Sequence, residues 1–273
     1  MKNMAKMLFR AQAPPLPLNW SNPSGDPAGK HYIDAFTPSE RASAPPPVPP
    51  GLFMPASINK YHCDTARTIS DKMEAYIDGI CDAICSAWNK WQSSATLVGV
   101  VINAVTAAGG QVVGPTWLPT ILADAPMSTL QEAKYSMSIA SAISLGWLAY
   151  QATIKVPGLP WYPAFATVPS PVAPPVPNVP CPVVALIQVP VPVMSMTLRG
   201  QMIAFLGDPT AQHSQVLFAS IAGAFEACFI LWQTTTQVTK VIGTGPVPTF
   251  APPVVPVGPV VGGVGNMVPG GFS

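Results

Sequence analysis

Few side chains in this sequence are placed to do chemistry. The three histidines, His31, His62 and His213, do not stand at ligand spacing from one another, and His62 next to Cys63 is not a helical zinc spacing. Asp78 and Asp82 are four apart and share one helix face. Paired carboxylates can do acid–base work, but these two fall on a polar, solvated face. The five cysteines, Cys63, Cys81, Cys85, Cys181 and Cys228, are odd in number and form no CxxC. They read as reduced thiols rather than a disulfide framework. No GxSxG, no P-loop and no Rossmann glycine pattern occurs at a strand-to-helix turn. Gly262, Gly263 and Gly265 lie in a tail with no helix after them to receive a phosphate. The sequence therefore predicts no catalytic residue, no cofactor and no metal. The one odd acid is Glu226, inside the apolar run "VLFASIAGAFEACFILW". Burial there demands a partner: Arg199, Lys240 or a neighbouring subunit.

What recurs is aromatic rather than ionic. "AICSAWNKWQ" (83–92), "AISLGWLAYQ" (142–151) and "AFEACFILWQ" (224–233) align without gaps. Each places two aromatic residues three apart, on one helix face a turn apart, and then a glutamine. The sets are Trp88, Trp91 and Gln92; Trp147, Tyr150 and Gln151; and Phe229, Trp232 and Gln233. After each set come small polar residues, a β-branched apolar run, and a stretch rich in Gly and Pro. Such an ordered recurrence predicts three copies of one unit. The unequal spacings exclude a regular solenoid.

Helices must carry these decamers. From about Asp64 to Gln92, Ile69, Met73, Tyr76, Ile77, Ile80, Ile84, Trp88 and Trp91 recur at three and four, with Asp71, Lys72, Glu74, Asp78, Asp82, Asn89 and Lys90 opposite, predicting an amphipathic helix. A second helix is predicted from Ser128 or Thr129 to about Gln151, with Glu132 at the capping-box position if Thr129 caps. A third is predicted from about Pro209 to Gln233; it is apolar all round and so should be buried. The expected fold is α+β: three helix-plus-short-strand repeats (57–127, 128–193 and 194–245) in pseudo-threefold array, with extended Pro-rich arms at 1–56 and 246–273. Dense proline, as in "GLPWYPAFATVPSPVAPPVPNVPCPVV" (158–184), bars helix interiors and central strands. Proline-fixed, apolar segments lose little entropy on docking and suit straps along neighbouring subunits.

Composition supports burial by neighbours. Charged residues are 9% of the chain, against roughly 25% in ordinary domains, and hydrophobic residues are 49%. A net charge of +1 leaves no electrostatic footprint for nucleic acid or an anionic membrane surface. Met7, Leu8 and Phe9 are too short an apolar core for a signal peptide. The apolar stretch around Glu226 is at the short limit for a membrane span, and a mid-bilayer carboxylate is costly.

With low charge, proline straps, no catalytic motif and internal triplication, the chain resembles structural proteins of bacteriophage tails, baseplates and related contractile injection particles. "PGLPWYPAFATVPSPVAPPVPNVP" and "GPVVGGVGNMVPGG" carry the likeness. The resemblance implies a non-enzymatic subunit, assembled in the cytoplasm into a virion or injection particle. Its partners would be other protein subunits, such as a trimeric spike or hub, or further copies of itself, and not nucleic acid. The rival readings are a membrane-inserting protein and a small enzyme or binding module without a visible site. Residues 93–273 hold too little charge to stay dispersed. The isolated chain is therefore expected to elute above its 28.6 kDa mass in size-exclusion chromatography with light scattering; a stable monomer would count against the assembly reading.

Overall fold

The computed structural model describes residues 1–12, 58–163, 170–211, 213–251, 255–256 and 258–273. The fold is mixed α/β, with an antiparallel sheet of six strands. His31 and the proline stretches "APPLPLNW" and "ASAPPPVPPGLFMP" lie outside the described residues, as do the side chains of His62 and Cys63.

The three long helices are α2 (Ile58–Ser94), α4 (Leu130–Thr153) and α6 (Ser214–Thr235). Helix α2 buries Tyr76, Ile77, Ile80, Ile84 and Trp91 of the predicted stripe, with Met73 and Trp88 half-buried; Ile69, predicted to join it, is exposed, because the stripe is covered only from about Met73 onward. Helix α4 opens with a full capping box. Glu132 N donates to Thr129 Oγ1 at 3.1 Å, and Thr129 N donates to Glu132 Oε2 at 3.0 Å. Helix α6 starts at Ser214, later than the proline at 209 suggests, because His213 adopts a left-handed backbone (φ 60°) that breaks the turn before it, and the helix is not buried all round as its composition suggests: Ile230 and Leu231 on its outer side are exposed.

A short helix precedes each long one: α1 (Lys2–Ala11), α3 (Leu118–Asp124) and α5 (Ser195–Leu206). Each packs against two long helices: α1 on α6 and α2, α3 on α2 and α4, α5 on α4 and α6. Gly146 of α4 permits the last of these, since a Cβ there would meet Leu198 Cδ2 at 2.9 Å. Helix α1 corrects the expectation that residues 1–56 form one extended arm. Ala5 and Phe9 are fully buried, and Lys2, Lys6 and Arg10 pair with Asp82, Asp78 and Glu74 at 2.6, 2.9 and 2.6 Å. Residues 12–57 join α1 to α2, whereas 125–129 and 207–213 suffice for the other two short helices. Closing the longer connection costs about 2 kcal/mol more, a cost the buried Phe9 and the ion pairs offset.

The sheet runs in the order β3 (Val156–Leu159), β2 (Thr106–Val113), β1 (Thr96–Asn103), β10 (Val261–Met267), β7 (Val241–Pro246), β4 (Val172–Pro177). Two smaller antiparallel pairs, β5 (Cys181–Pro182) with β6 (Gln237–Val238) and β8 (Phe250–Ala251) with β9 (Val255–Pro256), complete the strands. The proline-rich strands β3 and β4 take the two edges, where a missing N–H is tolerated. The register of β4 against β7 slips between Ala173 and Val176, so Pro174 and Pro175 occupy an irregularity rather than a ladder rung. This part of the predicted strap is thus ordered within its own chain. Strand β10 corrects the C-terminal arm in the same way. It lies between β1 and β7, with Val100 opposite Gly265 and Val264 opposite Thr244, and the flanking Val260 and Phe272 are buried.

The pairings follow one rule. The outgoing strands β1, β3 and β7 pair with the returning strands β10, β2 and β4. Three backbone bonds close these joints at the far end: Ala104 N to Val260 O at 2.7 Å, Tyr162 N to Val105 O at 3.1 Å, and Val247 N to Pro171 O at 2.9 Å. At the helical end, the fourth residue after each decamer glutamine pairs with a returning segment: Thr96 with Val113, Lys155 with Ile187, Gln237 with Ser273.

One sheet face buries Leu97, Val100, Ile102, Ala107 and Val112. Gly243 and Gly265 belong to it because Ile102 and the Tyr162 ring fill their Cβ positions. The opposite face exposes Ala108, Val101 and Val264 side by side, with the half-buried Thr244 next in the row. None of residues 95–117, 156–193 and 241–273 is Asp, Glu, Lys or Arg. The molecule is therefore polar in its charge: ionic along α2, neutral throughout the sheet.

The position of β10 sets a clear expectation. Truncation after Gly245 removes a central strand and the buried Val260, Met267 and Phe272, so the remaining chain should lose cooperative thermal unfolding by circular dichroism. Retention of a native-like melt would return residues 246–273 to the role of a separable arm.

Candidate functional site

The C-terminal ends of the three long helices converge, and their aromatic pairs meet in one cluster. Trp147 lies 5.0 Å from Trp88, 4.7 Å from Trp91, 6.3 Å from Phe229 and 5.6 Å from Trp232, ring centre to ring centre. Tyr150 meets Phe229 edge-on at 4.9 Å. Trp91 and Trp232 stand 6.0 Å apart. All six aromatic residues singled out by the repeat are thus in one body. Three more join them. Trp117 stacks on Trp147 at 4.5 Å, Phe225 lies 5.4 Å from Trp88, and Phe272 stacks on Trp91 at 5.4 Å. Trp117 and Phe272 fall outside the decamers, so the repeat could not flag them; Phe225 stands at the shared second position, opposite Ile84 and Ile143, but is aromatic in the third copy alone. Gly114 makes room for the Trp91 indole, whose Nε1 would sit 2.3 Å from a Cβ there.

The three glutamines tie this cluster to the returning segments. Gln151 Oε1 accepts from Trp91 Nε1 at 2.7 Å, and Gln151 Nε2 donates to Val112 O at 3.1 Å. Gln92 Nε2 donates to Phe272 O at 3.1 Å. Gln233 Nε2 donates to Gln188 Oε1 at 2.9 Å and to the Tyr150 hydroxyl at 3.3 Å; that hydroxyl itself donates to Gln188 Oε1. Each glutamine therefore reaches a segment that follows a different long helix from its own. Gln151 and Gln92 thereby fix a returning backbone carbonyl, while Gln233 joins the side chains of Gln188 and Tyr150.

The remaining candidates resolve as structure. Glu226 does not pair with Arg199 or Lys240. Its Oε2 accepts from Ser195 N at 2.8 Å, so it caps the first turn of α5, which has no side-chain cap of its own. Arg199 donates to Gln215 instead. Asp78 and Asp82 are taken up by Lys6 and Lys2. Cys81, Cys85, Cys181 and Cys228 are free thiols, and burial pushes the Cys81 thiol up to about 12. Among the described residues, no three His, Cys, Asp or Glu side chains are grouped to hold a metal. A shallow cleft beside Trp117, Trp147 and Gln151 has room for about one water molecule, far from the space an organic ligand needs.

No protein-family model, curated protein or solved structure matches this chain.

The cluster's energetics can be measured directly. Trp147→Ala should cost about 3–5 kcal/mol in urea unfolding, the upper end of single-site losses. Burial also pushes the hydroxyls of Tyr150 and Tyr162 up to about 12. The folded state thus holds these protons more tightly than the unfolded chain, where the value is about 10. Their contribution is full below pH 10 and is lost as pH rises through 12. Denaturant midpoints should accordingly fall steeply across that window, and less so in Tyr150→Phe.

Proposed function

We propose that the chain is a non-enzymatic assembly subunit made of three copies of one unit about a pseudo-threefold axis, and that its neutral β end seats on a threefold-symmetric partner in a particle of phage-tail or contractile-injection type. One unit consists of a short helix, a long helix ending in the aromatic pair and glutamine, an outgoing strand and a returning strand. The first unit comprises α1, α2, β1 and β2; the second α3, α4, β3 and β4; the third α5, α6, β7 and β10. The boundaries predicted from sequence then shift, since α1 and α3 belong with the long helices that follow them.

The observation that carries the reading is the triplet of backbone bonds, Ala104 to Val260, Tyr162 to Val105 and Val247 to Pro171. In each, a residue just past the outgoing strand of one unit donates to the residue just before the returning strand of another, and the three relations form a cycle. The strand pairings and the seats of the short helices follow the same cycle. A single chain with threefold pseudo-symmetry fits the axis of a trimer, and a rigid sheet with an uncharged face fits a protein socket. Nucleic acid would require cations there. Helix α6 is long and apolar enough to cross a membrane by length and composition, but half of its most apolar window is buried among the other helices. This favours the assembly reading over insertion. Residues 13–57, rich in proline, remain the segment proposed to reach neighbours.

Val101→Lys together with Val113→Lys charges the open face at two exposed positions. The double variant should stay folded by circular dichroism and become more soluble, while its incorporation into the native particle, measured by co-sedimentation, falls at least tenfold. Unchanged incorporation would remove the sheet face from the docking surface. Images of the native particle should place the chain's long axis on a threefold axis of its neighbours.

A further inference from the structure

The seat of α1 differs in kind from the seats of α3 and α5. All three short helices fill grooves between long helices, yet only α1 is held by a ladder of charges. Lys2, Lys6 and Arg10 recur every four residues and meet Asp82, Asp78 and Glu74, which recur every four residues in the opposite direction. The ladder fixes both the polarity and the register of an antiparallel helix pair. Between its rungs Ala5 and Phe9 are fully buried. The other wall is α6, where Gly223 lets Leu8 approach; a Cβ there would stand 3.1 Å from Leu8 Cδ1. Gln12 Nε2 reaches Ser220 Oγ at 3.2 Å.

This is a helix-binding groove with a specificity code, and its resident helix is separated in the chain from α2 by residues 12–57, far more than the 125–129 and 207–213 that precede α4 and α6. A connection of that length can extend well over 100 Å. Across so long a connection, the effective concentration of a linked partner falls to the millimolar range or below. Copies brought together in an assembly reach similar local concentrations, so the resident helix does not exclude one from outside. The short connections before α4 and α6 allow no such competition.

We propose that the groove between α2 and α6 accepts α1 from a second copy of this chain, so that reciprocal exchange of α1 joins two copies at their charged ends. This goes beyond the docking of the neutral β end, which lies at the opposite end of the long helices and stays free. Exchange uses the contacts already made within one chain and needs no new interface, the usual logic of domain swapping. Because every rung is an ion pair near the surface, association in this mode weakens with salt.

Charge reversal makes the test specific. One full-length chain carries Lys2→Glu, Lys6→Glu and Arg10→Glu; the other carries Asp82→Lys, Asp78→Lys and Glu74→Lys. Neither can close its own ladder, but the acidic α1 of the first fits the basic groove of the second, and the reverse. Mixed in equal amounts, the two should form a one-to-one heterodimer of twice the 28.6 kDa chain mass by light scattering, dissociating in 1 M NaCl. A mixture that behaves as the sum of its parts would overturn the proposal. Wild-type chains bearing two different tags guard against misfolding of the variants. They should co-purify after mixing, and Gly223→Leu, which fills the groove from the α6 side, should lower co-purification at least tenfold. Co-purification unaffected by Gly223→Leu and by salt would also overturn it. Neither readout involves the sheet face, so failure here leaves the docking of the β end untouched, and failure of that docking leaves the exchange intact.

Discussion

The structure depends on the packing of Trp147. Its indole is in ring contact with six aromatic neighbours: Trp88, Trp91, Trp117, Tyr150, Phe229 and Trp232. They come from all three long helices and from α3's leading residue. A buried aromatic side chain removes more apolar area from water than any other, and edge-to-face contacts add to that burial. The convergence fixes where each helix ends, and the ends fix where the strands begin. The glutamines then transmit the placement outward, since each one bonds a segment that follows another helix. With few charges available, shape and hydrogen-bond register do the work that ion pairs and solvation share in ordinary domains.

Much of this was legible because its signals are local. The stripe of Tyr76, Ile77, Ile80 and Ile84 and the pairing of Thr129 with Glu132 each lie within a few turns of one helix. The recurrence of the decamer pointed to the six aromatic residues that meet. What was not legible depends on residues distant in sequence. Ala5 and Phe9 make too short a stripe to declare α1, whose register is set by acids on α2. The Val261–Met267 strand contains three glycines, a composition that reads as coil; Gly265 is required because Tyr162 and Ile102 occupy the space a side chain would need, Gly263 because Val260 and the Thr244 carbonyl do, and Gly262 by its positive φ. Proline in β4 argued against a sheet, and only an edge position with an irregular register reconciles the two.

Glu226 shows how a buried-looking acid can mislead. A carboxylate in an apolar helix suggests a counter-ion or a catalytic role, and Arg199 and Lys240 were the natural partners in sequence. Helix α5 supplies a third kind of partner, the unpaired N–H groups of its own first turn. A backbone donor leaves no trace in sequence, so the cap becomes visible only once α5 and α6 are packed together. The residue therefore secures the third short helix in its groove, as the ion-pair ladder secures the first.

The division of charge between the two ends follows from the same economy. Ion pairs are concentrated where a helix must be held despite a long connection, and a charge ladder supplies register that apolar contacts alone would not. The sheet needs no such device, because its strands are linked by short turns and by backbone bonds between units. Lysine or proline usually protects a sheet edge from adding further strands. Here proline does so at both edges, in β3 and β4, so the sheet cannot grow sideways. That leaves the uncharged face and the loop end as the open surfaces of the β end, and sets the ion pairs of α1 and α2 toward the other end of the long helices.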